Sequence, residues 1–422
     1  MSLRNLLVVC LLALLPGGAL ARDLLVAAPG VPDGRAEFAS LGEALNAAVG
    51  GDRILLLPGS YGEIEIRGAR FETPVVIAPA EATGAHVLAI RISTSSHLTI
   101  RGLQVWPLEP GTRPTLVHSQ VNADHIRFEA LDIRASPDAP DTYMTWTLKD
   151  WLGTWPAGGV NLEGPDNALI GSRIAGTGFA ITASGARAEV RDNHVLGFSG
   201  DGIRGLGDNS VFAGNRVQDC FKVNDNHDDG FQSWARDEDE TGRKVVRGII
   251  IEANIILEWT GPADHPLHCQ LQGIGLYDGI YRDFVIRNNL IVVEHWHGIS
   301  VWGAQDTEIV NNTVVFPGGA VSPDRPWIML RASKSGVDPG GNTLVNNVAM
   351  AYREVSEEVI RRNVIARYPV QLLRDPVHGD YRPRENGPLI DAADPAFAPP
   401  FDIENRPRPM GNGPDIGAYE VQ

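Results

Sequence analysis

The sequence predicts an all-β chain coiled into a β-solenoid, with one short helix capping its N-terminal end. Three observations carry that expectation. A strand–turn–strand unit recurs at about 20 to 25 residues, a set of glycine-centred motifs keeps step with it, and a single helical pattern precedes both.

The helical pattern lies in "FASLGEALNAAVGGDRILLLPGSY". Ser40 and Glu43 have capping-box spacing. Leu41, Ala44, Leu45 and Ala48 then share one helical face. Gly50-Gly51-Asp52 ends the helix, and "RILLLPGSY" reads as a buried strand.

The recurring unit is an alternating strand, a turn residue that is usually Asn, and a second apolar strand. Its copies are "ALIGSRIAG", "AEVRDNHVLG", "SVFAGNRVQD", "IIIEANIILE", "FVIRNNLIVV", "TEIVNNTVVF", "NTLVNNVAMA" and "EEVIRRNVIA". The aligned turn residues are Ser172, Asn193, Asn215, Asn254, Asn289, Asn312, Asn347 and Asn363. Their tightest spacings are 21, 22 and 23 residues, and spacings of 39 and 35 leave room for inserted loops. Asn tolerates the left-handed backbone of tight corners, and stacked asparagines form a hydrogen-bonded ladder in this reading.

The glycine motifs are "TGFAIT", "DGIRGL", "DGFQSW", "QGIGLY" and "HGISVW". Phe179, Ile203, Phe231, Ile274 and Ile299 are expected to point inward. The residues before the glycines (Asp201, Asp229, Gln272 and His297) form one outward column. Ser199, His227, Gln270 and His295 form a second, with Asp228 between them. Equivalent residues of adjacent coils lie about 4.8 Å apart.

This pattern resembles the right-handed parallel β-helix of the pectin lyase-like superfamily. "LGEALNAAVGGDRILLLPGSY" is similar to the opening of its secreted members, and the N-terminal part resembles chondroitinase B and alginate lyases. "IRNNLIVVEHWHGISVWGAQDTEIVNNTVV" resembles its carbohydrate-binding and sugar-hydrolase repeats. The resemblance spans about residues 36 to 365, and the tail "DIENRPRPMGNGPDIGAYE" is similar to that of many exported β-helix proteins. The expected organisation is a signal peptide over 1–21, a cap and first strands over 22–60, the β-helix over 61–368 and an irregular C-terminal cap over 369–422.

Arg4, the apolar run Leu6 to Leu15 and Ala19-Leu20-Ala21 read as that signal peptide, with cleavage near Arg22. The expected protein is exported, periplasmic or extracellular, and monomeric. No later stretch is apolar enough for a spanning helix. Cys220 and Cys269 remain after cleavage, as a disulfide or as two separate buried thiols. A net charge of -16 argues against general nucleic-acid binding. It also repels an acidic polysaccharide unless a basic patch or a cation reverses the field locally.

Stacked carboxylates imply a raised pKa or a bound ion. The expected catalytic set is therefore Asp201, Lys222, His227, Asp228, Asp229, His295 and His297. Arg204, Gln232, Trp234, Gln270, Gln272 and Trp302 are expected to bind substrate. Trp146, Trp151 and Trp155, in an insertion over 141–160, form either a cleft wall or a hydrophobic lid.

Three functions fit these residues. A lyase on a uronic-acid polymer neutralises the sugar carboxylate with Ca²⁺ held by Asp201, Asp228 and Asp229, or with Gln232 or Gln270. His227 or Lys222 is then its base, with His295 or His297 as partner. A glycoside hydrolase resembling polygalacturonases uses the three aspartates as acid and base. Its pattern is broken here by an extra coil around Gly273 and by the spacing of Arg331 and Lys334. The third function is a non-catalytic β-helix that binds a glycan or a metal.

Overall fold

Alternating apolar and polar residues form short strands, and each strand pairs in parallel with its equivalent one coil away. In one coil, Ala168–Ile170 lies in a first sheet, Arg173–Thr177 in a second and Ile181–Ala183 in a third. The next strand, Glu189–Arg191, returns to pair with Ala168–Ile170. The computed structural model describes residues 21–82, 84–322 and 325–422, so the signal-peptide segment lies outside them apart from Ala21. Among these residues the three sheets hold twelve, twelve and eleven strands. The product is an all-β parallel solenoid.

The interior is built of stacked columns of like side chains. Phe128, Leu169, Val190, Phe212, Ile251, Ile286 and Ile309 occupy one register position in successive coils, and all are fully buried. Burying each such side chain contributes about 1.5–3 kcal/mol. The helix Leu41–Ala47 closes the N-terminal end, with the Glu43 N–H donating to Ser40 Oγ at 3.2 Å. The tail folds back onto the second sheet, where Asn311 Nδ2 donates to the Asp415 and Gly417 carbonyls.

The corner between the first and second sheets carries the asparagine ladder. Asn254 Oδ1 accepts both N–H and Nδ2–H of Asn215, each at 3.0 Å. Asn254 Nδ2 donates to the Phe212 carbonyl at 2.9 Å and to Asn289 Oδ1 at 3.0 Å. The pattern repeats from Asn193 to Asn363. One detail differs from expectation. The left-handed residue is the one before the ladder position, as in Asp192, Gly214, Ala253, Asn288, Asn311 and Asn346. The ladder asparagine is chosen for its amide, and its neighbour takes the strained backbone.

Strict alternation would turn Asp229 to the same side as Phe231. Gly230 resets the phase. A Cβ there would lie 2.4 Å from Ile256 Cγ2, so the position faces inward against the second sheet and admits only glycine. Both Gly230 and Phe231 thus turn inward, and Asp229 emerges on the outer surface. Gly202, Gly273 and Gly298 meet Val217, Ile291 and Val314 in the same way.

Two alignments need correction. Ile181, not Phe179, pairs with Ile203, so Phe179 stands beside Asp201 on the outer face and is exposed. The sequence also aligns Trp234, Tyr277 and Trp302, each four residues after its glycine, but Trp234 pairs with Asp278 through an irregularity at Ser233, so Trp234 and Tyr277 are not equivalent. The tryptophan insertion is a lid. Trp146 and Trp151 are buried against each other and Phe221, with Trp155 packed alongside. Cys220 and Cys269 form a disulfide, with their Cα atoms 5.5 Å apart.

The ladder generates a stability prediction. Asn254→Ala strands the Asn215 N–H and the Phe212 carbonyl in the interior, at a cost of about 3 kcal/mol. Asn363→Ala, at the half-buried end, should cost less than half as much. Urea unfolding monitored by circular dichroism measures both.

Candidate active site

On the outer face of the third sheet, two buried aspartates each hold one basic side chain. Asp201 Oδ2 accepts from Arg204 Nε at 2.6 Å. That bond leaves the terminal guanidinium nitrogens without a partner among the described residues. Arg204 lies flat over Phe179, 3.4 Å from its ring centre, which fixes its plane. One coil on, Asp229 Oδ2 accepts from His227 Nδ1 at 3.2 Å and from Gln232 Nε2 at 3.0 Å. The two arms are joined by the Asp229 N–H, which donates to Asp201 Oδ1 at 3.1 Å.

The layering is sharp. Asp201, Asp228 and Asp229 are 1%, 3% and 0% exposed, whereas the His227 side chain is 64% exposed. Asp229 Oδ1 has no hydrogen-bond partner among the described residues and rests on Gly275, where a Cβ would lie 2.2 Å away. Asp228 sits beneath the loop, accepting from Asn226 Nδ2 at 3.0 Å, with Lys222 Nζ at 3.9 Å. Lys222 itself donates to the Asn226 carbonyl.

Burial sets the charge states. It pushes Asp229 up to about 7 against the pull of His227, and Asp228 up to about 6. Asp201 is also raised by burial, with Arg204 opposing. The hydrogen bond to Asp229 lifts His227 above the usual histidine value. Further along the face, burial lowers both His295 and His297 to about 4. His297 Nδ1 meets Ser300 Oγ at 2.7 Å and accepts from Trp327 Nε1 at 3.3 Å, while His295 Nδ1 accepts the His297 N–H. Each neutral ring therefore carries its proton on Nε2.

Gln272 is buried in register with Asp229 and accepts from the Tyr277 hydroxyl. Gln270 is exposed in the preceding loop. Trp302 packs edge-on to Tyr277 at 5.4 Å, beneath Arg331 at 5.1 Å. Sequence reasoning missed Phe179 as a member of this face. The one usable signal was the Phe–x–Ile spacing in "TGFAIT", which fits a register two residues later.

The aspartates do not fit the calcium site expected of them. Ca²⁺ takes oxygens at about 2.3–2.6 Å, so its ligands lie within about 5 Å of one another. Among the described residues, Asp201, Asp228 and Asp229 supply no such convergent set; Asp228 converges within 4.8 Å only with the disulfide sulfurs of Cys220 and Cys269. Asp201 is committed to a guanidinium. Glu258, His268 and Glu294 do converge. Both Glu258 oxygens there are occupied by His268 and by the Leu271 and Glu294 N–H groups, which pins a corner beside the disulfide.

A family model described as a right handed beta helix region matches residues 145–314. Pectate lyase Pel9A superposes over 96% of this chain and 98% of its own at a TM-score of 0.51 and 15% identity. The fold is the pectin lyase-like right-handed parallel β-helix. A rhamnogalacturonan lyase covers 82% of this chain and 85% of its own at 12% identity and a TM-score of 0.44. A PL6-family alginate lyase, AlyGC, covers 77% of this chain and 47% of its own at 16% identity and 0.38. No match was found among curated proteins.

The buried carboxyl gives a pH prediction. The unfolded chain holds an aspartate near about 3.9, whereas folded Asp229 titrates at about 7. The native state therefore binds the extra proton, and stability declines as pH rises from about 4 through 7. His227, also raised, contributes a loss of the same sign. Asp229→Asn should flatten this decline. Calorimetric unfolding from pH 4 to 8 tests it: the melting temperature of the variant should fall less than that of the parent protein.

Proposed function

We propose that this β-helix is an exported lyase that cleaves a uronic-acid-containing polysaccharide by β-elimination. The observation that carries the reading is the layering of the site. The His227 imidazole and the Lys222 ammonium are exposed and the Arg204 guanidinium is part-buried, and the carboxylates of Asp201, Asp228 and Asp229 lie beneath them. A hydrolase needs a carboxyl that touches the glycosidic oxygen. An elimination needs a base at the C5 proton and a cation at the sugar carboxylate, and those are the groups that face solvent.

The roles follow from the hydrogen bonds. Asp229 receives the Nδ1 proton of His227, which leaves Nε2 as the exposed base. Asp201 anchors Arg204 through Nε, so its two terminal nitrogens are left to donate to the substrate carboxylate in a fork. Arg204 thereby supplies the neutralising charge that was expected of calcium. His227 takes the C5 proton, the C4–O bond breaks, a C4–C5 double bond forms and the Lys222 ammonium protonates the departing oxygen. His295 and His297, held near 4, are neutral in the working range. They suit hydrogen bonding to sugar hydroxyls rather than proton transfer. Gln232, Gln270, Gln272, Trp234 and Trp302 complete the binding face, and Asp201 and Asp229 are positioning residues.

The test is a screen of uronic-acid polymers that follows ultraviolet absorbance and reducing ends together. Absorbance should appear with the reducing ends, and reducing ends alone would support the hydrolase reading. His227→Ala should lower kcat by about 10²–10⁴-fold. Because His227 must be unprotonated, kcat/KM should rise with pH through a value above 6.5. Asp229→Asn should move that limb to lower pH, a shift that loss of packing would not produce.

A further inference from the structure

Beside the reacting groups lies a cleft of about 540 Å³. Trp234, Ala235, Asp278 and Gly279 form its floor. One wall comes from the inserted loop carrying Arg243 and Lys244, the other from the loop carrying Ser333, Lys334 and Ser335. Trp234 ends the same strand that Asp229 begins. They are five positions apart, about 16 Å of extended chain.

We propose that this cleft is a subsite for a second acidic sugar residue, a few units along the polymer from the bond that is cleaved. The inference rests on the function proposed above and adds a determinant of substrate class. Lys334 is paired with Asp278. The Arg243 and Lys244 side chains have no ion-pair or hydrogen-bond partner among the described residues. Two cations without an ion pair thus line one cleft, on a loop that also carries Asp237, Glu238, Asp239 and Glu240. Their field is local, since a Debye length at physiological salt is about 8 Å. It acts on a single carboxylate seated in the cleft rather than on the polymer at large.

The floor argues for a sugar as the carrier of that anion. Trp234 is half-buried and presents its ring to the cleft, with Arg204 5.4 Å from its centre on the side toward the reacting groups. The Ser333 and Ser335 hydroxyls lie 2.9 Å apart on the opposite wall. An aromatic platform, hydroxyls and free cations suit a pyranose bearing a carboxylate. Arg204 at one end and Arg243 with Lys244 at the other then read two carboxylates on one chain. A polymer with only scattered uronic acids satisfies one of them.

The experiment compares the parent protein, Arg243→Ala/Lys244→Ala and His227→Ala in affinity electrophoresis. The gels contain polygalacturonate, alginate or methyl-esterified pectin. The double variant should bind the preferred acidic polymer about tenfold more weakly, the loss expected for one charge-assisted hydrogen bond. Its melting temperature should be unchanged and its KM raised, whereas His227→Ala should bind like the parent. Equal binding by the double variant overturns the subsite. So does equal binding of the esterified polymer by the parent, or no acidic polymer binding at all. If the double variant loses binding while the parent yields no product from any polymer, the subsite stands and the lyase reading fails.

Discussion

From Ser172 to Asn363, each buried side chain at the first corner binds the backbone of a neighbouring coil, and each amide also binds the next. A one-residue slip between coils would unpair this amide chain and turn every strand's apolar face outward. The hydrophobic columns make coiling favourable, but they are chemically alike and tolerate substitution. The ladder is directional, buried and intolerant of a missing partner, and so it fixes which residues become neighbours. The site depends on that register, because its two arms sit on adjacent coils and meet through one N–H···O bond.

Glycines on the third sheet turn this register into chemistry. Each faces inward where the opposite sheet leaves no room for a Cβ, and the residue before it is turned out. Asp201 and Asp229 are thereby placed on the outer face but covered by their neighbours. A covered carboxylate is a poor ligand for substrate and a good holder of a base. Burial raises its pKa, and the attached imidazole is raised in turn.

Much of this was legible in the sequence. The repeat spacing gave the solenoid, and the asparagine positions gave the ladder. Asp201, Asp229, Gln272 and His297 do share one column. What the sequence hid was of two kinds. Register within a coil depends on a single bulge or glycine, so Phe179 and Trp234 fell out of alignment. Depth was also invisible. Letters give no sign that Asp228 and Asp229 are covered while His227 is exposed, yet that difference separates an elimination from a hydrolysis. Convergence was hidden for the same reason, since three nearby aspartates do not imply oxygens that meet at one point. Cys220 and Cys269 were equally compatible with a bridge or with two thiols until the inserted loops were placed.

The central claim is that His227 acts as a base in an elimination and no carboxylate activates water. Cleavage of an acidic polymer in heavy-oxygen water, read by mass spectrometry of the fragments, tests it most directly. The account requires unsaturated fragments, each lighter by one water than its hydrolytic counterpart, with no heavy oxygen at the new ends. Saturated fragments that carry the label would contradict it.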